Sequence, residues 1–227
     1  MHINSFDNFF DFSKLNFGKL TYEHINKVKA FILDLKEKCN TNDIELIITN
    51  TPGIAYTIGE GMMVNGYFDE NIRTLACAAG KPIEQWLTIL IHESCHMDQF
   101  LENIPEWCQN PGLEQTDRWL SGEEVDAKIL DAEMVGSMAV EIDCEKRTVE
   151  KIKEWGFDSF INVDEYIQKS NAYILFYLWM REHRKWYEIG SEPYNLPQIV
   201  GMMPKTFDID YTALNDYYRK AFEILKK

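Results

Sequence analysis

The stretch WLTILIHESCHMDQFLE, residues 86–102, constrains the fold more than any other part of the chain. Two of only five histidines stand in it four positions apart, inside an apolar run. At about 100° per residue, positions i and i+4 share one helix face a turn apart, so a helix here presents the rings of His92 and His96 side by side. Ile83, Trp86, Leu87, Leu90, Ile91, Met97 and Leu101 recur around them at helical spacing. Pro82 suits the first position of such a helix, and Pro105 sets the limit before which it ends.

The residues HESCH fit the pattern HExxH. His92 and His96 can hold one metal ion, and Glu93 can reach a water on that ion and take its proton as general base. Burying two unpaired imidazoles beside LTILI would be costly, and a metal supplies the missing partner. A catalytic zinc takes three protein ligands and keeps a fourth position open. The extended pattern HExxHxxGxxH would need glycine at 99 and histidine at 102, where this chain has Gln99 and Glu102.

The third ligand must therefore come from elsewhere, and MAVEIDCEKRTVEKI, residues 138–152, is the expected source. Glu141 and Glu145 lie at i and i+4 on a small-to-apolar stripe, which carries two acids inward. Glu141 is the expected ligand, with Glu145 accepting the N–H of His92 and setting its tautomer. Glu145, Asp143 and Glu133 remain as alternatives for the ligand. Cys95 and Cys144 stand three residues from His92 and Glu141, although a lone cysteine is more often a small buried hydrophobe.

Around these two segments the pattern divides near residue 80. An amphipathic helix is expected over 21–39. Short β-rich runs follow at 44–49 (IELIIT), 54–58 (IAYTI), 62–68 (MMVNGYF) and 72–78 (IRTLACA), separated by NTPG, GEG and DEN. They predict a small, mostly antiparallel sheet of hairpin-linked strands. IRTLACA is either an interior strand or the edge that receives a peptide by backbone pairing. Beyond residue 80 long helices are expected over 122–155, with Ser121 and Glu124 as capping box, and over 163–189, with Asn162 and Glu165 as capping box and Gly190 as stop. A structured loop and a last helix over 211–226 complete the chain. The expected class is α+β, a single domain over 1–227 with an N-terminal helix-and-sheet part (1–80) and a helical part (81–227) carrying the metal site.

Composition removes several function classes. A net charge of −14 without a basic run leaves no footprint for nucleic acid. The longest apolar run, AYILFYLWM, is about half of the roughly 20 residues a membrane span needs. MHINSFDNFFDFSKL lacks a basic region followed by an apolar core, so no secretory leader is expected. Five cysteines without a CxxC pair argue for reduced thiols, and a cytoplasmic location is expected.

HESCH on one helix and EIDCE on a later one resemble the gluzincin group of zinc metallopeptidases. The chain also resembles metallopeptidases encoded by tailed bacteriophages, through HESCH, EIDCEKR (141–147), YLWMREHRKWY (177–187) and MMP (202–204), over roughly residues 60–205. The resemblance implies a zincin-like fold, zinc held by His92, His96 and Glu141, Glu93 as base, and a peptide or protein substrate in a host-cell cytoplasm. Glu145 stands where the commoner residue is aspartate.

Hydrolysis also needs a donor to the developing oxyanion. Tyr173, Tyr177, Arg181, His183, Arg184 and Tyr187 share the relevant helix, with His183 and Tyr187 preferred. Two competing readings are a di-iron carboxylate site, which lacks a second ExxH, and a catalytically silent metal-binding protein that partners a host or phage protein. The second has no use for an intact Glu93. Substrate and oligomeric state are not legible in the sequence.

Overall fold

A computed structural model describes residues 2–3, 11–56, 62–188 and 190–226. The contacts within it group into two units, residues 1–103 with 150–161, and residues 104–149 with 162–227.

In the first unit, α1 (Tyr22–Thr41) buries Val28, Phe31, Ile32, Leu35 and Cys39, an i, i+3, i+4, i+7 stripe that explains why this segment is a helix with one apolar face. Thr21 caps it by accepting from the His24 N–H. A strand that the sequence reading does not anticipate, β1 (His2–Ile3), opens the sheet, and β2 (Glu45–Thr49), β3 (Ile54–Tyr56), β4 (Met62–Val64), β5 (Gly66–Asp69) and β6 (Thr74–Ala78) follow the expected runs, with two corrections. Residues 57 and 58 of the run 54–58 lie outside the described residues.

The run 62–68 is not one strand. It breaks at Asn65 into β4, which pairs with β3, and β5, which pairs with β6. Nor is the main sheet hairpin-linked throughout. Its order is β1-β2-β6-β5, and the central pair β2–β6 runs parallel, Glu45 opposite Thr74 and Thr49 opposite Ala78. The sheet is mixed because NTPG does not fold β3 back onto β2. It starts a separate β3–β4 hairpin, and that hairpin is part of the crossover a parallel pair requires. At Gly80 an added Cβ would meet the carbonyl carbon of Thr51 at 2.4 Å, so the exits of β2 and β6 lie backbone against backbone.

One face of the sheet packs Ile47, Tyr67, Ala76 and Ala78 with Ile54 and Val64 of the hairpin. Helix α2 (Ile83–Glu102) meets the other face: Cys77 Sγ donates to Trp86 O, and the ring of Phe68 lies 5.6 Å from that of Phe100. Pro82 is the N-cap of α2, and Asn103 ends it in the left-handed region at φ 52°, before Pro105 as expected. Phe31 meets Trp155 and Phe157 edge-on, which seals α1 against the 150–161 segment.

In the second unit, the chain after α2 forms two short helices, α3 (Pro105–Cys108) and α4 (Glu114–Leu120). The Ser121–Glu124 capping box does not form. Ser121 closes α4, its hydroxyl donating to Arg118 O. Helix α5 (Ala127–Glu154) starts later, where Asp126 accepts from the Lys128 N–H. Asn162 does cap α6 (Val163–His183). That helix stops at Arg184 (φ 49°) rather than near residue 189, because the Arg184 guanidinium is drawn onto the carbonyls of Trp119 and Glu123.

Helices α7 (Pro197–Val200) and α8 (Asp216–Phe222) follow, the latter shorter than the expected 211–226 and continued by a 3-10 turn over Glu223–Lys226. The core here is Trp119, Leu130, Met134 and Met138 packed with Ile174, Leu175, Phe176, Trp179, Met180 and Phe222. Among the described residues, no helix is long and apolar enough to cross a membrane.

Candidate metal centre

α2 puts its apolar residues on the sheet and leaves His92, Glu93 and His96 partly buried along one side. The two Nε2 atoms converge to 3.1 Å, with the rings edge to face at 4.6 Å between centroids. Two nitrogens bound at zinc distances to one tetrahedral ion would stand about 3.3 Å apart, so the observed separation is compatible with a shared ion. His96 Nδ1 lies 2.8 Å from Oε1 of Gln99, a fully buried residue. An amide oxygen only accepts, so Nδ1 carries the proton and Nε2 of His96 keeps its lone pair. Burial first, and then the neighbouring His92, push His96 down to about 3, against the opposing pull of Gln99. This imidazole is neutral at every physiological pH, the form that binds a metal.

Glu93 lies beside Gly66 of β5. A Cβ at Gly66 would stand 2.7 Å from Ile89 Cγ2 and 3.1 Å from Glu93 Cγ, so the side chain missing from β5 is what lets strand and helix touch. β5 is an edge strand of the main sheet, whereas IRTLACA, as β6, is interior with β2 and β5 on its two sides.

Behind the histidines, Asp98 is buried between two lysines, with Lys38 and Lys151 each at 2.7 Å. Lys151 also donates to Ser94 Oγ at 2.9 Å. Burial alone would lower Lys151, but Cys95 and Asp98 outweigh it and hold the ammonium above its ordinary value. Cys95 is itself buried, and none of the five cysteines forms a disulfide.

The acids of α5 belong to the second unit up to residue 149, and the helix ends in the first, where Lys151 meets Asp98. Their surroundings separate their roles. Glu133, one of the expected alternatives, is occupied as a helix cap: its oxygens accept from the Gln115 and Thr116 N–H groups and the Thr116 hydroxyl at the start of α4. Asp143 is paired with Arg147 at 2.6 Å. Glu145 is buried beside the Tyr166 hydroxyl, and burial, then Glu145, push that phenol well above its ordinary range. Glu141 lies in the field of Tyr173 and Tyr177, whose hydroxyls are 3.0 Å apart. Burial before all else raises both phenols, so they remain protonated donors.

Of the two preferred oxyanion donors, His183 stacks on Trp179 at 4.3 Å and places Nδ1 2.9 Å from the Trp179 carbonyl. Tyr187 packs against Phe176 and Tyr194. Among the described residues, His92 and His96 of the first unit offer ring nitrogens of the kind that ligate a metal, and Glu141, Cys144 and Glu145 of the second offer carboxylate oxygens and a thiol. Gln99 and the Tyr173–Tyr177 pair are the functional candidates that motif reading undervalues. The signal for Gln99 was its i+3 spacing from His96, which places both on one face.

No family model matches the chain, and neither do the curated proteins or solved structures with which it was compared.

Proposed function

We propose that this chain is a zinc-dependent hydrolase of zincin-like fold that cleaves peptide bonds. The observation that carries the reading is the convergence of two neutral-capable imidazoles at 3.1 Å on the helix that also bears Glu93. His92, His96 and Glu141 would hold the ion. Glu133 and Asp143 are spoken for by α4 and Arg147, which leaves Glu141 and Glu145 as the inward acids of α5. Zinc in such a setting polarises a carbonyl and makes water nucleophilic at neutral pH.

Glu93 takes the proton of the attacking water and returns it to the leaving amine. Tyr173 or Tyr177, kept protonated by burial, donates to the developing oxyanion in preference to His183, whose Nδ1 is engaged by its own helix. The edge strand β5 beside Glu93 aligns a substrate backbone by strand addition, which favours an extended peptide over a compact small molecule.

The test is hydrolysis of a mixed peptide library by zinc-loaded protein, read by mass spectrometry, against Glu93→Gln. Wild type should cleave, and the variant should keep its zinc while losing about 10²- to 10⁴-fold in rate. Equal cleavage by both would remove Glu93 as base, and no cleavage by either would favour the silent metal-binding alternative.

A further inference from the structure

We infer that Gln99 is a positioning residue that presets His96 as the ligand of the pair, an inference that rests on the metal-site reading above. Three observations carry it. Gln99 is fully buried, its Oε1 meets His96 Nδ1 at 2.8 Å, and His96 Nε2 points at His92 Nε2 at 3.1 Å. A neutral imidazole has one N–H and one lone pair. With the N–H committed to Gln99, the lone pair of His96 is fixed at Nε2. The contact between the two rings then has one polarity: His92 Nε2–H donates and His96 Nε2 accepts.

The two histidines are therefore not equivalent before an ion arrives. His96 is ready, held by a partner three residues on along its own helix. His92 must change tautomer, losing the Nε2 proton while Nδ1 takes one. The same position that breaks the HExxHxxGxxH pattern, glutamine where that pattern has glycine, supplies the acceptor. An amide also keeps the helix continuous through residue 102, which a glycine turn would not.

The tautomer is read directly by long-range ¹H–¹⁵N correlation of the histidine rings in the full-length, metal-free protein. His96 is expected in the Nδ1–H form, and an Nε2–H form in the wild type would overturn the inference whether or not the protein binds zinc. Zinc titration of Gln99→Met, which keeps the volume and loses the acceptor, should show affinity about 10- to 100-fold weaker than wild type. Gln99→Glu, which restores an acceptor at the same reach, should return to within about fivefold. Wild-type affinity in a folded Gln99→Met would overturn the role. Failure of the wild type to bind zinc would sink the metal reading instead, and the ring tautomer would still decide whether Gln99 presets His96.

Discussion

Helices α2 and α5 both carry the chemistry that the sequence singles out, but they set it up in opposite ways. On α2 every relation that matters is local. His92 to His96 is one turn, His96 to Gln99 is less than one turn, and Glu93 is the next residue, so one continuous helix creates the histidine geometry by itself. On α5 the acids Glu133, Glu141, Asp143 and Glu145 look alike in sequence and are told apart by what packs against them. Glu133 receives the start of α4, Asp143 receives Arg147, Glu145 receives Tyr166, and Glu141 receives the tyrosine pair. Imidazole roles follow from spacing here, and carboxylate roles follow from tertiary surroundings.

The sharpest way to break that contrast is to exchange two acids of α5. Glu141→Ala should cost most of the zinc affinity in a titration while moving the urea midpoint little. Glu133→Ala should leave zinc affinity near wild type and destabilise the fold by about 1–3 kcal/mol, since it strands buried donors at the start of α4. The reverse pattern would mean that the surroundings have been misjudged. A smaller effect is expected at the strand that faces α2. Gly66→Ala pushes a methyl into Ile89 and the Ala76 carbonyl, so the thermal midpoint should fall by an amount equivalent to about 1–3 kcal/mol. An unchanged midpoint would show that β5 and α2 are not in such close contact.

These contrasts explain what was legible in the sequence. α1 and α2 were readable because their apolar residues repeat at helical spacing and α2 is bracketed by Pro82 and Pro105. The parallel β2–β6 pair was not, because NTPG has the chemistry of a turn but says nothing about which strand the next one joins. The start of α5 was misplaced because Ser121 and Glu124 have capping spacing while Ser121 is already used by α4. The end of α6 was hidden because Arg184 stops the helix through carbonyls more than sixty positions away in sequence. At the candidate site, the convergence of the two imidazoles was legible in their spacing, whereas the different surroundings of the four acids were not.

Effects are expected in pH dependence as well, and they have opposite signs on the two helices. In metal-free protein, His96 is held at about 3 against an ordinary 6.5, so the unfolded chain takes up a proton the fold refuses. Stability should fall as pH drops from about 6.5 toward 3, by at most about 1.4 kcal/mol per pH unit. Lys151, near the end of α5, is raised above 10.5. Its contribution is fully present below that value and is lost as pH rises through the higher folded one. Urea midpoints across pH should show the acid limb flattened by His96→Gln and the alkaline limb flattened by Lys151→Met. Exchanged or absent effects would contradict the assignments.

The most direct measurement of the central claim is zinc binding by calorimetry to the metal-free protein and to the double variant His92→Ala, His96→Ala. The account predicts one zinc per chain in the wild type and loss of that binding in the variant while the fold persists by circular dichroism. Undiminished binding in the variant, or none in the wild type, would contradict it.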